Sequence, residues 1–298
     1  MPGSLSGKNC PLPVPTTTRA LLERYDGLLL DLYGVLVDAG GLLPGAREFL
    51  DELERWRTPF AFVSNDASRS TATYVARFAA WGVNVEPHRF VTSGSLLPAY
   101  VADRQLAGAR VAVLGTKDSE AFVREGGGVV VPVRAGMEID ALAVCDDAGF
   151  AFLDGLELSL SAVVRAIEAG RRPTLVLPNP DLVYPKSPGE LGFTAGTMAL
   201  MIEAALERRF PGANLVFDRL GKPEPHLFTA AAKQLGIAAD RLVMIGDQLE
   251  TDIAGANAAG VPSALLAGSI SRWTQRDEES TVGVERGQPD WLLESLSL

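Results

Sequence analysis

The chain of 298 residues is 47% hydrophobic and carries a formal net charge of −10, so it can bury one large core or two smaller ones but lacks the basic character of nucleic-acid-binding proteins. Its two cysteines, Cys10 and Cys145, form neither a disulfide framework nor a metal-ligand pattern, and no apolar run reaches the roughly 18 residues of a membrane span. We therefore expect a two-domain protein of the reducing cytoplasm, with no nucleic-acid or membrane partner.

Residues 1–20 are predicted to be a flexible leader, because "MPGSLSGKNCPLPVP" lacks the apolar middle of a secretory signal. From Leu21 onward, short apolar runs alternate with longer stretches of helical period, which is typical of a parallel sheet with crossover helices. The first strand is predicted at "GLLLDLY" and the first helix at "AREFLDELERW". A second strand, "PFAFVSND", follows this helix.

The pattern restarts after residue 93, with strands at "ARVAVLG", "ALAVCD" and "PTLVLPNPD". We expect residues 94–208 to form a smaller α/β domain inserted into a larger one made of residues 21–93 and 209–298. The segment "PDWLLESL" near the end is predicted to be a closing helix. The fold class is thus α/β, with a Rossmann-like doubly wound parallel sheet as the core.

Three carboxylates stand where predicted strands end. Asp31 ends the first strand and Asp247 ends the late strand "RLVMIGD", while Asp252 follows at the start of the next helix. Ligands of an open parallel sheet bind outside the carboxyl ends of its strands, so these groups should meet. Carboxylates held together repel one another unless a cation lies between them. A hard divalent ion with oxygen ligands, magnesium above all, resolves that repulsion.

Polar and basic groups accompany these carboxylates. Ser64 and Asn65 end the second strand, and Lys222 lies in "LGKPEP" before the last strands. A metal ion, an ammonium and neutral donors together make a pocket for a tetrahedral dianion. A carboxylate such as Asp31, when aimed at phosphorus, becomes the nucleophile, and water later hydrolyses the acyl phosphate.

Each feature alone has a more ordinary interpretation. An Asp at a strand end more often forms a turn or a cap, and Ser-Asn or Gly-Asp can simply begin the next helix. The order of the features outweighs this, because an acid, Ser-Asn, Lys-Pro and Gly-Asp at strand ends of one sheet rarely arise together by chance.

These residues resemble the motifs of the haloacid dehalogenase-like superfamily of hydrolases, most of which are magnesium-dependent phosphatases. "DLYGVLVDAGG" is similar to the first motif, "FVSND" to the second, "LGKPEP" to the third and "MIGDQLETDIAGANAAG" to the fourth. "NPDLVYP" and the helix after it resemble the class IIA subgroup, which carries an α/β cap between the second and third motifs and includes nucleotidases and p-nitrophenyl phosphatases. The resemblance implies that residues 94–208 are this cap.

The resemblance also implies roles for individual residues. Asp31 would be the nucleophile, and Lys222 would balance charge between it and the phosphate. Ser64 and Asn65 would hold the phosphoryl oxygens. The implied magnesium ligands are Asp31, the main-chain carbonyl of Tyr33, Asp247 and, through metal-bound waters, Asp252. The cap would close over a small phosphorylated metabolite, with Asn179 and Asp181 of "NPD" contributing near the domain boundary, and related caps support homodimers.

Tyr33 departs from the phosphatase pattern, which usually has a second aspartate at this position. That aspartate protonates the leaving oxygen and then activates water, and a phenol with a pKa near 10 is a poor substitute. Loss of such a group costs about a hundredfold to ten-thousandfold in rate. We expect a phosphatase that is slow or selective for good leaving groups, unless Asp38 or a cap acid supplies the proton. Tyr33 could also merely fill space under the cap.

Two alternatives follow from this tyrosine. True 2-haloacid dehalogenases, which need no metal, also resemble this chain at Tyr33. They insert a helical cap between the first two motifs, however, whereas Asp31 and Ser64 are only 33 positions apart. The pair Asp247 and Asp252 would also repel without a cation. The other alternative is a degenerate protein that binds a phosphorylated ligand without turnover, against which the retained Asp31 and Lys222 argue.

Overall fold

The computed structural model describes residues 12–187, 189–267 and 287–297. The strands of these residues are β1 (Val14–Thr16), β2 (Gly27–Leu30), β3 (Val37–Asp38), β4 (Gly41–Leu42), β5 (Phe60–Ser64), β6 (Phe90–Thr92), β7 (Arg110–Leu114), β8 (Val129–Val131), β9 (Ala141–Val144), β10 (Thr174–Leu177), β11 (Val183–Ser187), β12 (Glu190–Phe193), β13 (Asp218–Arg219), β14 (Leu242–Gly246), β15 (Ser263–Leu266) and β16 (Trp291–Leu293). The α-helices are α1 (Thr18–Arg24), α2 (Ala46–Arg55), α3 (Thr71–Ala80), α4 (Leu97–Asp103), α5 (Lys117–Glu125), α6 (Phe152–Glu168), α7 (Ala195–Arg209), α8 (His226–Leu235) and α9 (Ala254–Ala258).

The larger sheet has seven strands in the order β1, β16, β15, β14, β2, β5, β6, and every pairing is parallel. All four residues of β2 are buried, as expected of a central strand covered on both faces. On one face, Phe62 packs against Phe78 of α3 and Phe90 of β6, with ring centroids 5.4 and 4.9 Å away. The predicted Rossmann-like parallel sheet is confirmed.

The smaller sheet has five parallel strands in the order β13, β10, β9, β7, β8. Its first four strands along the chain lie between β6 and β14, so this unit is inserted into the larger one. The fifth strand, Asp218–Arg219, lies beyond residue 208, where the cap was predicted to end. A separate antiparallel hairpin, β11 and β12, follows β10.

Side chains at the start of α5 hold the two units together. The hydroxyl of Thr116, which caps this helix, donates to the Ser68 carbonyl at 2.6 Å, and Ser119 donates to the Ala67 carbonyl at 2.7 Å. The Asp118 carboxylate accepts from the backbone N–H of Ser70 at 2.7 Å. Because Thr116 follows β7, the carboxyl edge of the smaller sheet faces the loop that follows β5 of the larger one.

Two expectations for the chain ends need correction. The predicted leader is wrong for residues 14–20, because β1 pairs with β16 and α1 begins at Thr18 with its N-cap Thr17 accepting from Ala20. The predicted closing helix at "PDWLLESL" is a strand at Trp291–Leu293, since this short apolar run gains backbone pairing from both β1 and β15. Cys10 lies outside the described residues. Within the part of the chain that the structure describes, no helix has the length and apolarity to cross a membrane.

Candidate active site

The three predicted carboxylates meet at the carboxyl edge of the larger sheet. Asp31 follows β2 and Asp247 follows β14, and these strands are neighbours: the Asp31 N–H donates to the Ile245 carbonyl at 3.0 Å. Asp252 lies in a π-helical turn, Leu249–Ile253, and its carboxylate accepts from the backbone N–H groups of Asp247 and Gln248, both at 3.1 Å. One oxygen from each carboxylate lies within 4.8 Å of the others, and all three residues are buried.

Gly34 allows this close approach of the loop after β2. Its φ is +97°, and a Cβ at this position would collide with the Asp247 carboxylate. Only glycine adopts such a backbone without strain and also leaves this space. The glycine of "DLYG" therefore lets the loop after β2 pass close to Asp247.

Lys222 forms ion pairs with two of the three carboxylates. Its ammonium donates to Asp31 and to Asp252, both at 2.6 Å, and to the Val63 carbonyl at 3.2 Å. The residue is only 3% exposed. Burial alone would lower the pKa of Lys222, but the carboxylates of Asp252 and Asp31 outweigh burial and raise that pKa above its ordinary value. Lys222 is therefore a fixed positive charge beside Asp31.

The site retains an excess of negative charge. Burial outweighs the opposing effect of Lys222 and, together with the nearby Asp252, raises the pKa of the Asp31 carboxyl to about 7. One ammonium cannot neutralise three carboxylates. The clustered carboxylate oxygens are also the ligands that hard divalent cations prefer. These residues therefore fit a divalent metal ion, which would favour the ionised form of Asp31.

Asn65 has a different environment from the one predicted. Its amide oxygen accepts from the Lys222 backbone N–H at 2.6 Å, and its amide nitrogen donates to the Lys222 carbonyl at 3.0 Å and to Asp181 at 2.8 Å. The Asn65 side chain thus anchors the lysine loop. Ser64 is 8% exposed and lines the cavity above Asp31, as the phosphate-binding prediction requires.

Asn179 and Asp181 follow β10 and connect the smaller sheet to this network. Asn179 donates to the Thr194 hydroxyl at 3.1 Å and accepts from the Asp181 N–H at 3.0 Å. Burial raises the pKa of Asp181, while the hydrogen bond from Asn65 and the charge of Lys222 lower it. Both residues line the cavity, and Asp181 connects it to Lys222 through Asn65.

Tyr33 lies in the loop after β2 and reaches the hairpin of β11 and β12. Its hydroxyl donates to the carbonyl of Pro185 in β11 at 3.1 Å. Burial, and then the charge of Asp38, raise the pKa of Tyr33 above its ordinary value, against the effect of Arg77. The phenol is therefore neutral near pH 7 and is used as a hydrogen-bond donor to the cap.

A cavity of about 390 Å³ lies between the two units and contains Asp31 and Lys222 in its wall. Sequence reasoning did not single out several other lining residues, namely Asp66, Arg69, Arg77, Asp146, Asp147 and Tyr184. Two of them had a recognisable signal, because Asp146 and Asp147 follow the apolar strand β9 just as Asp31 follows β2. The carboxyl ends of strands from both sheets thus open into one cavity.

Comparisons with known proteins agree with this geometry. Residues 28–128 match the model of the haloacid dehalogenase-like hydrolase family, and residues 219–297 match the HAD-hydrolase-like model. The chain is 31% identical to the D-glycerol 3-phosphate phosphatase of Mycobacterium tuberculosis over 263 residues, which cover 86% of this chain and 67% of that protein. The chain belongs to the haloacid dehalogenase-like hydrolase family.

Solved structures of this family share the fold over nearly the whole chain. A possible sugar phosphatase of the superfamily from Cytophaga hutchinsonii is 27% identical with a TM-score of 0.81, covering 96% of this chain and 99% of that one. A 4-nitrophenylphosphatase from Thermotoga maritima is 25% identical with a TM-score of 0.74, covering 93% and 96% of the two chains. The resemblance to the class IIA subgroup is thereby confirmed.

Proposed function

We propose that this protein is a magnesium-dependent phosphatase that hydrolyses small phosphate monoesters through an aspartyl phosphate on Asp31. The observation that carries the proposal is the arrangement of Asp31, Asp247 and Asp252 around one oxygen-lined position, with the Lys222 ammonium 2.6 Å from Asp31. Relatives whose names state phosphatase activity support the same chemistry.

Asp31 is the nucleophile because its carboxylate lies in the cavity wall at a strand end, where an incoming phosphoryl group would face it. Lys222 stabilises the charge that develops on the phosphoryl oxygens, and the Ser64 hydroxyl donates to one of them. Asp31, the Tyr33 carbonyl and Asp247 would hold the metal ion, with Asp252 supporting them. When bound, the ion neutralises negative charge on the phosphate and on Asp31.

Asn65 has a positioning role in this scheme. Two of its hydrogen bonds fix the backbone N–H and carbonyl of Lys222, and the third connects Asn65 to Asp181. A substrate that moved Asp181 would therefore disturb the lysine loop. Residues 94–208 act as the cap that selects the leaving group, because Asp146, Asp147 and Asp181 of this segment line the same cavity as Asp31.

The size of the cavity supports a small substrate. About 390 Å³ is near the lower end of the volumes of ligand pockets, which range from about 300 to 1,000 Å³. A phosphorylated metabolite of a few carbons fits such a space when the cap is docked as observed, whereas a phosphoprotein would require the cap to move away.

The test uses p-nitrophenyl phosphate, whose leaving group needs no proton. We expect magnesium-dependent release of nitrophenolate that stops with EDTA and returns with excess magnesium. No release with any divalent ion would overturn the proposal. Metal-independent halide release from 2-chloropropionate would instead establish the dehalogenase alternative, and phosphate binding without turnover would establish the binding protein.

A further inference from the structure

The proposed phosphatase requires a proton donor for the leaving oxygen, and the inference in this section rests on that proposed function. Two candidates, Tyr33 and Asp38, lie in the chain after β2, and both make other hydrogen bonds. The Tyr33 hydroxyl donates to the Pro185 carbonyl. The exposed Asp38 carboxylate accepts from the N–H groups of Gly40 and Gly41 at 2.7 and 3.1 Å, so it serves the turn between β3 and β4.

The cap provides acids to the same cavity. Asp146 and Asp147 follow β9, both are half-buried, and both line the cavity that contains Asp31. Tyr184 lies near both acids and near Tyr33, because, after burial, the charges of Asp147, Asp146 and Tyr33 raise its pKa. The two acids therefore share a neighbour, Tyr184, with the loop that follows β2.

Burial and neighbouring charges favour the protonated form of Asp146 more than that of a free aspartate. Burial raises its pKa to about 6, and the charges of Asp147 and Asp66 add to this, while the N–H of Ala148 and the charge of Arg69 oppose it. Arg69 is itself bound to Asp66, with its guanidinium 2.8 Å from that carboxylate. A general acid is most effective when its pKa lies near the working pH.

Asp181, another half-buried acid of the cap, is less suited to this role. One of its carboxylate oxygens accepts from Asn65 at 2.8 Å, and Lys222 acts on its charge. It therefore belongs to the end of the cavity where the phosphoryl group would lie. Asp146, by contrast, accepts from the backbone N–H of Ala148 at 3.0 Å and lines the same cavity after the cap strand β9.

We propose that Asp146 is the acid and base of the reaction, supplied by the cap in place of the residue that Tyr33 replaces. An Asp31 oxygen bonds to phosphorus, the ester P–O bond breaks with its electron pair moving to the leaving oxygen, and the Asp146 proton moves to that oxygen. The Asp146 carboxylate then takes a proton from water as the water oxygen bonds to phosphorus and displaces Asp31. An alcohol and inorganic phosphate leave, and Asp146 regains its proton.

The test compares Asp146→Asn with wild type on p-nitrophenyl phosphate and on three alkyl phosphates: ethyl phosphate, glycerol 3-phosphate and 2-glycerol phosphate. Alkoxides need a proton and nitrophenolate does not. We expect kcat/KM, which reports the steps up to release of the leaving group, to fall by about a hundredfold or more for the alkyl esters and by less than about fivefold for p-nitrophenyl phosphate. The matched control Asp147→Asn should change both classes equally. Asp146→Glu should recover most alkyl phosphate turnover.

The outcomes are distinct. Wild type that hydrolyses p-nitrophenyl phosphate but none of the alkyl esters, or Asp146→Asn that lowers kcat/KM of both classes alike, overturns the role of Asp146 and leaves the phosphatase standing. Wild type inactive on p-nitrophenyl phosphate removes the phosphatase itself. If Asp146→Asn does not fold, the wild-type pH profile decides. We expect alkyl phosphate turnover to decline above about pH 6 as Asp146 loses its proton, with no such decline for p-nitrophenyl phosphate, and matching profiles would refute the role.

Discussion

The Tyr33 hydroxyl donates a hydrogen bond to the Pro185 carbonyl at 3.1 Å, so Tyr33 connects the loop after β2 to the cap hairpin of β11 and β12. A carboxylate at this position would instead repel a carbonyl oxygen unless it were protonated. Tyrosine at this position thus provides a contact between core and cap. This relationship gives two opposite predictions for substitutions at one position.

Tyr33→Phe should weaken cap docking while leaving the metal position intact. A neutral hydrogen bond contributes about 0.5–1.5 kcal/mol, so we expect kcat/KM for small phosphate esters to fall by about two- to tenfold. Steady-state kinetics with p-nitrophenyl phosphate measures this. Tyr184→Phe is the control, because it removes a cavity hydroxyl from the same hairpin but keeps the Tyr33–Pro185 bond. Equal kinetics for Tyr33→Phe and wild type would mean that the bond has no role in turnover.

Tyr33→Asp should raise turnover of alkyl phosphates, because it returns an acid to the usual place in the motif. We expect little gain with p-nitrophenyl phosphate, whose leaving group needs no proton. The ratio of kcat/KM values for the two substrate classes is the measurement, because kcat/KM reports the steps up to release of the leaving group. A decrease for alkyl phosphates would show that the contact with the cap matters more than the added acid.

Asp31→Asn should abolish turnover with the fold retained. The side chains have the same shape, and Lys222 keeps its 2.6 Å ion pair with Asp252, so the buried lysine is not left unpaired. Activity and a thermal melt should be measured together, with the exposed Asp51→Asn as the control. Full activity in Asp31→Asn would rule out this residue as the nucleophile.

Much of this site follows from sequence because of one geometric rule. Asp31 and Asp247 end neighbouring parallel strands, and side chains at such ends meet at one edge of the sheet. Asp146 obeys the same rule on the smaller sheet, although only the structure reveals that the two edges face each other. Docking of the units depends on contacts such as that between Thr116 and Ser68, which no local periodicity encodes.

Other features depend on contacts with distant parts of the chain, which the sequence of a short segment does not predict. Trp291–Leu293 has too few residues for a period to distinguish strand from helix, and its conformation is set by β1 and β15 on either side. Asn65 looked like a phosphate ligand because it follows Ser64. Its amide instead matches the Lys222 backbone, a partner 157 positions away that sequence spacing does not reveal.

Asp247→Asn tests the metal position directly. The substitution removes one negative charge and a strong oxygen ligand, so we expect the magnesium concentration for half-maximal activity to rise at least about tenfold. Magnesium titration of p-nitrophenyl phosphate turnover measures it. The exposed Asp240→Asn should leave the titration unchanged. An unaltered titration for Asp247→Asn would place the metal elsewhere.

Lys222→Met tests, without any substrate, how much the lysine charge stabilises the buried carboxylates. Lys222 bridges Asp31 and Asp252, and its side chain is only 4% exposed, so methionine leaves both carboxylates without their shared cation. Breaking a buried ion pair in this way costs about 3–5 kcal/mol. We expect a loss of this size in the free energy of unfolding when urea unfolding is measured in EDTA. Magnesium should restore stability by more in the variant than in wild type, because the remaining carboxylates bind a cation more tightly.

The control is Lys117→Met. The Lys117 side chain is 91% exposed, so this variant should show neither effect. A Lys222→Met variant as stable as wild type in EDTA would mean that these carboxylates do not depend on the lysine for their charge balance.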